Sequence, residues 1–99
     1  MAPKQNSLLR ETSVLREVMS SPGYRIRYTS HALEEMGNDN IINADIIAVL
    51  EKGKVTWIEN KKDVLWHVEG KDCDSRRVRL VISVNNDVVI VKIITAMLL

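Results

Sequence analysis

A chain of 99 residues with 45% apolar and 27% charged residues has the proportions of one globular domain spanning 1–99, and these proportions exclude a disordered, fibrous or collagen-like chain. Fourteen Lys and Arg against 13 Asp and Glu leave a net charge of +1, so no global field steers the protein onto nucleic acid and any such binding must come from a local patch. A single cysteine excludes an internal disulfide and fits a reducing cytoplasm, while the polar opening "MAPKQNS" and the interrupted apolar run "DVVIVKIITAMLL" read as neither a secretory signal nor a membrane span.

Residues 6–20, "NSLLRETSVLREVMS", place Leu8, Leu15, Val18 and Met19 on one stripe, which predicts an amphipathic helix capped by Asn6 or Ser7. "SSPG" ends it, because Pro22 disfavours helical geometry at Ser21 and Gly23 permits a turn. The alternation of 24–29 predicts a strand. Ser30 is then the expected N-cap of a short helix, "HALEEM", that "GNDN" terminates. A second helix, "NADIIAVLEK" at 43–52, carries Ile46, Ile47, Val49 and Leu50 on a broad face and stops at Gly53.

From residue 54 the period changes to two. Strands are expected at 54–59, 63–70, 76–84 and 88–97, joined by the short turns "NKK", "KDCDS" and "NND" into an antiparallel meander. Helices followed by strands predict an α+β fold, with the N-terminal helices packed on one face of a four- to five-stranded, mainly antiparallel sheet. The third meander strand presents Val78, Leu80, Ile82 and Val84 on one face and Arg77, Arg79, Val81 and Ser83 on the other. Two arginines therefore project side by side, and Lys92 stands alone as a charge in the apolar last strand. With no Phe, the only rings are Tyr24, Tyr28, Trp57 and Trp66, few for a base-stacking platform.

The order "Y-T-S-H-A-L-E-E-M", a helix ending "VLEKGKV", then "HVEGKD", "RRVRLVISV" and "VVIVKIITA", resembles a bacterial family of small uncharacterised domains. That family has a Thr-x-His-Ala helix start and a terminal Ile-Thr strand, and is grouped with the RelE/ParE-like toxin superfamily. The likeness covers about Tyr24 to Ala96, within a core of 23–99 that follows an N-terminal helix and turn of 1–22. It implies a helix-helix-sheet domain and, in active members of the superfamily, metal-independent RNA cleavage by side chains gathered on the sheet. It also implies neutralisation by a small antitoxin protein.

Matched position by position, His31 stands at the helix-start histidine. Arg79 lies on the strand where relatives carry a polar or histidine residue, and Thr95 matches the final Ile-Thr. These three are the catalytic candidates, with Arg76, Arg77 and Lys92 as RNA-binding candidates. Two departures are visible: Glu35 and Asp39 occupy places where relatives have basic residues, and the chain ends "ITAMLL" where relatives continue with a tyrosine and polar residues.

Cleavage of this kind needs a base for the 2′-hydroxyl proton, an acid for the leaving 5′-oxygen and cations for the charged phosphorane. A histidine with an ordinary pKa near ~6.5 exchanges protons at neutral pH, and an arginine holds two phosphate oxygens at once. Each residue also has a structural reading. His31 can start a helix or pair with Glu34 or Glu35; Arg77 and Arg79 can pair with Glu69 across the meander; Lys92 can snorkel from an edge; Thr95 is a good strand former. Glu34, Glu35 and Asp39 would surround His31 with negative charge that repels a phosphate backbone.

No cofactor and no metal is expected, since His67, Asp72, Cys73 and Asp74 lack paired ligand spacing and no glycine loop for phosphate is present. Cys73, between Asp72 and Asp74, is expected to have a raised thiol pKa. Two functions follow. One is a toxin-like ribonuclease acting on RNA through His31 and the Arg77/Arg79 face and held by an antitoxin. The other is a catalytically silent interaction module of the same fold, whose first helix and "AMLL" tail pack on a protein partner or a second copy.

Overall fold

The computed structural model describes the backbone of residues 2–60 and 62–99 and the side chains of residues 8–60 and 62–99. Three helices and five strands follow in the order α1 (Ala2–Ser20), β1 (Arg25–Tyr28), α2 (Ser30–Asp39), α3 (Asn43–Lys52), β2 (Lys54–Asn60), β3 (Val64–Lys71), β4 (Arg77–Asn85) and β5 (Ile90–Leu98). The sheet order is β1-β5-β4-β3-β2. The meander forms antiparallel pairs as the alternation predicts, and β1 adds to β5 in parallel, so the last strand lies inside the sheet. Lys92 is therefore not an edge residue; it points from an inner strand into solvent.

All three helices cover one face. The stripe Leu15, Val18 and Met19 packs α1 into the same core as Ala32 and Met36 of α2, Ile46, Val49 and Leu50 of α3, and the inward rows Val55, Val68, Val78, Leu80, Ile82, Val91 and Ile93. Helix α1 begins earlier than expected, so Asn6 and Ser7 lie within it rather than at its cap, and their side chains lie outside the described residues. The "NKK" turn likewise includes Lys61, outside the described residues.

Two junctions depart from the sequence reading. Helix α2 is capped by Thr29 rather than Ser30: the Thr29 hydroxyl accepts from the Ala32 N–H at 3.0 Å. The helix also runs through Gly37 and Asn38 to Asp39, and closes at Asn40, whose φ of 54° is left-handed. Helix α3 has no side-chain cap at Ile42; instead Asp45 reaches back to accept from the Ile42 N–H at 3.0 Å. Its stop at Gly53 rests on close approach rather than a left-handed turn. A Cβ there would lie 2.5 Å from the Val49 carbonyl oxygen and 2.7 Å from that of Glu69, so only glycine lets the end of α3 touch β3.

Arg16 of α1 secures that end, donating to the Leu50 carbonyl at 2.8 Å and to the Gly53 carbonyl, two acceptors that an α-helix C-terminus leaves open. Thr12 accepts the Val55 N–H at 3.0 Å beside the register irregularity between Val55 and Trp57.

Candidate functional site

The face of the sheet away from the helices is open. On it β3 presents His67, Glu69 and Lys71, and β4 presents Arg77, Arg79, Val81 and Ser83, as strand alternation requires. The two arginines converge on one carboxylate. Arg79 donates to Glu69 Oε2 from Nε at 3.3 Å and Nη2 at 3.1 Å, and Arg77 Nη2 lies 3.6 Å from Glu69 Oε1. Arg77 remains 68% exposed, so its guanidinium faces solvent with most of its donors.

His31 sits on the first turn of α2, where the chain passes from β1 to the uncovered edge of β5. Strand β1 pairs with β5 only as far as Ile93, leaving the next backbone groups of β5 without a strand neighbour. The α2 entry supplies the missing partners. Thr29 donates its hydroxyl to the Ile94 carbonyl at 2.9 Å, and Glu35 Oε1 accepts from the Ala96 N–H at 2.9 Å. The other oxygen of Glu35 faces His31 Nε2 at 3.5 Å. The His31 side chain is 65% exposed.

Of the carboxylates expected to crowd His31, Glu35 stays beside it and Asp39 does not. Glu35 is anchored to the sheet. Asp39 lies at the far end of α2, eight residues on, about 12 Å along a helix axis.

Thr95 faces Val81 at a register irregularity in the β4–β5 ladder, and its hydroxyl is buried with no hydrogen-bond partner among the described residues. Lys92, exposed, lies opposite Ser83 and beside Arg27 of β1. His31, Glu35 and Thr95 thus gather around the C-terminal half of β5, while Arg79 sits opposite Met97 on the next strand.

Arg76 goes elsewhere. It donates from Nε to Asp72 at 2.7 Å, from Nη1 to the Asp39 carbonyl at 2.9 Å and from Nη2 to the Asn40 carbonyl at 3.1 Å, and lies 3.7 Å from Asp45. Arg76, an RNA-binding candidate by sequence, uses these donors to clamp the β3–β4 turn to the α2–α3 junction.

Cys73 is exposed in that turn. Its thiol is raised above the ordinary range first by hydrogen bonding with Asp45, then by burial and by the charges of Asp45, Asp72 and Asp74. His67 is engaged by Glu59 instead of joining Cys73. Among the described residues no group of three or more His, Cys, Asp or Glu side chains is placed to hold a metal ion, and no helix is long and apolar enough to cross a membrane.

Sequence reading missed two parts of the site. The spacing of four puts Glu35 and His31 on one helix face, but only the fold brings the Ala96 N–H onto the other Glu35 oxygen. Lys52, Lys54 and Lys71 lie in three different elements and carry no local signature, yet the β2–β3 register sets Lys54 opposite Glu69, on the same side as Arg79.

A family model for a domain of unknown function, DUF4258, matches residues 28–98, from the last residue of β1 to the last residue of β5. The chain belongs to the DUF4258 family. The DUF4258 region thus contains His31, Glu35, the arginine pair and Thr95, and it excludes almost all of β1 and the whole of α1. No curated protein and no solved structure matched the chain.

Proposed function

We propose that this DUF4258 domain is a toxin-like ribonuclease that cleaves RNA without a metal ion, as the RelE/ParE-like proteins it resembles do. The observation that carries the reading is the division of labour at the start of α2. Thr29 caps the helix and bonds β5, Ala32 is fully buried, and one oxygen of Glu35 closes the sheet edge. His31 stays 65% exposed, with the remaining Glu35 oxygen 3.5 Å from its Nε2. Two of the three groups needed in a nucleophile–base–orienter arrangement are thereby present, and the RNA brings the third as its own 2′-hydroxyl.

In that role His31 exchanges protons with the substrate. The 2′-oxygen loses its proton and bonds to phosphorus, the P–O5′ bond breaks, and the leaving 5′-oxygen takes a proton. Arg79 supplies donors toward the charged phosphorane, and Arg77 and Lys92 supply cations along the backbone. A small antitoxin protein would hold such an enzyme in check.

The test is incubation of the purified chain with single-stranded RNA in a chelator. Wild type is expected to cut the RNA, and His31→Ala to lose about 100-fold or more of the rate, the usual worth of a positioned acid–base group. Glu35→Gln keeps an acceptor for the Ala96 N–H and is expected to remain folded while losing rate. Intact RNA at high wild-type concentration, together with growth unaffected by induced expression, would sink the proposal.

A further inference from the structure

A second concentration of positive charge lies where the end of α3 meets β2 and β3. There an open concavity of about 770 Å³ is walled by Lys52, Lys54, Lys71 and Arg77 and includes Gly53 and Gly70. The glycine pair leaves bare backbone between the cations: a Cβ on Gly70 would come within 2.9 Å of Gly53 Cα, and one on Gly53 within 2.7 Å of the Val49 and Glu69 carbonyl oxygens.

Two carboxylates also line the concavity, and both are occupied. The Asp72 side chain is fully buried, bonded to the N–H groups of Asp74 and Arg76 and to the Arg76 guanidinium. Glu69 is shared by Arg79, Arg77 and the Thr56 hydroxyl. Lys52, Lys54 and Lys71 have no carboxylate partner among the described residues. The negative end of α3 would oppose an anion here, but Arg16 covers the Leu50 and Gly53 carbonyls from the other side.

We infer that this concavity is a phosphate-binding subsite that takes a backbone phosphate of the RNA, an assignment that rests on the reading of the domain as an RNA-cleaving one. Three flexible ammonium groups match a phosphate as point charges, and among the described residues no aromatic ring lines the concavity to stack a base, so the site holds the strand without reading its sequence. Arg77 belongs both to the concavity and to the Arg79–Glu69 row. The positive surface is therefore continuous from β2 to β4, two strand spacings or about 10 Å.

The test measures binding of a fluorescein-labelled ten-nucleotide single-stranded RNA over a range of salt, in a His31→Ala background that leaves the RNA whole. Combining Lys52→Ala, Lys54→Ala and Lys71→Ala is expected to weaken binding at least tenfold. It should also lower the slope of log affinity against log salt by about 0.7, the contribution of one phosphate contact on a single strand. Gln at the same three positions keeps most of each side chain's length and is expected to behave alike, which separates charge from folding.

Inorganic phosphate, used as competitor, should displace the RNA only at far higher concentration. Unchanged affinity and slope in a folded triple variant would overturn the subsite, as would preferential binding of free phosphate or of an acidic peptide. RNA that is bound through the lysines but left intact by the chain with His31 restored sinks the cleavage reading and keeps the phosphate site. RNA that is cut with no dependence on the lysines does the reverse.

Discussion

Asp45 is 3% exposed, and both of its oxygens are matched: Oδ2 accepts from the Ile42 N–H at 3.0 Å, Oδ1 from the Cys73 N–H at 3.1 Å, with Arg76 Nη2 3.7 Å away. One carboxylate thereby starts α3 and holds the β3–β4 turn. Its pKa falls below the ordinary 3.8, chiefly through the Ile42 N–H, with burial opposing and the Cys73 bonds and Arg76 assisting. The folded pKa is the lower one, so the stabilisation is complete above the unfolded value and is lost as pH falls through the folded value. Asp45→Asn is expected to cost about 1–3 kcal/mol at neutral pH, the worth of charged hydrogen bonds in a buried setting. Thermal melts should show the gap between wild type and variant constant near pH 7 and shrinking once the pH drops below 3.8. The sequence did not reveal this residue's importance, since an acidic residue at the third helical position reads as a dipole partner. Only the fold brings Cys73, 28 residues away, onto its second oxygen.

Helix α2 shows how an element takes its place in the sheet. Its first residues complete the backbone bonding of β5 where β1 runs out, and Thr29 both caps the helix and donates to Ile94. Thr29→Ala removes a cap and a sheet-edge bond together and is expected to lower stability by about 2 kcal/mol. Thr29→Ser keeps the hydroxyl and should recover most of the loss, read as urea midpoints with an unchanged slope. Such dual use explains why the boundary was read one residue late: Ser30 is as good a cap by type, and only the Ile94 carbonyl selects Thr29. The far end was underestimated for a related reason. Gly37 and Asn38 punctuate a sequence, yet an exposed glycine inside a helix costs only about 1 kcal/mol against alanine, and the packing of Met36 and Ile41 outweighs that. The arginine pair was more legible, because strand alternation fixes which side chains share a face. Its ligation to Glu69 then follows from register.

At the scale of the whole molecule, the open question in the sequence was whether the first helix belongs to this sheet or to a partner. Its apolar stripe is consumed at home: Leu15 is fully buried and Val18 and Met19 nearly so, Arg16 closes the end of α3, and Thr12 satisfies Val55 at the β2 irregularity. Periodicity revealed the stripe, while only topology reveals the surface that receives it. An interaction module docking through this face would have to open its own core first. The family match begins at residue 28, so the matched region lacks α1 and almost all of β1, both of which belong to the folded unit. Three buried side chains at about 1.5–3 kcal/mol each represent a large share of the 5–15 kcal/mol by which domains are stable. Removal of residues 1–20 is therefore expected to leave a chain that keeps much of its far-ultraviolet circular dichroism but loses near-ultraviolet signal, exposes apolar surface to a hydrophobic dye and melts without cooperativity. A truncated chain with a sharp melt within a few degrees of the full-length protein would instead mean that the sheet, α2 and α3 stand alone, and that α1 is free to leave for another surface.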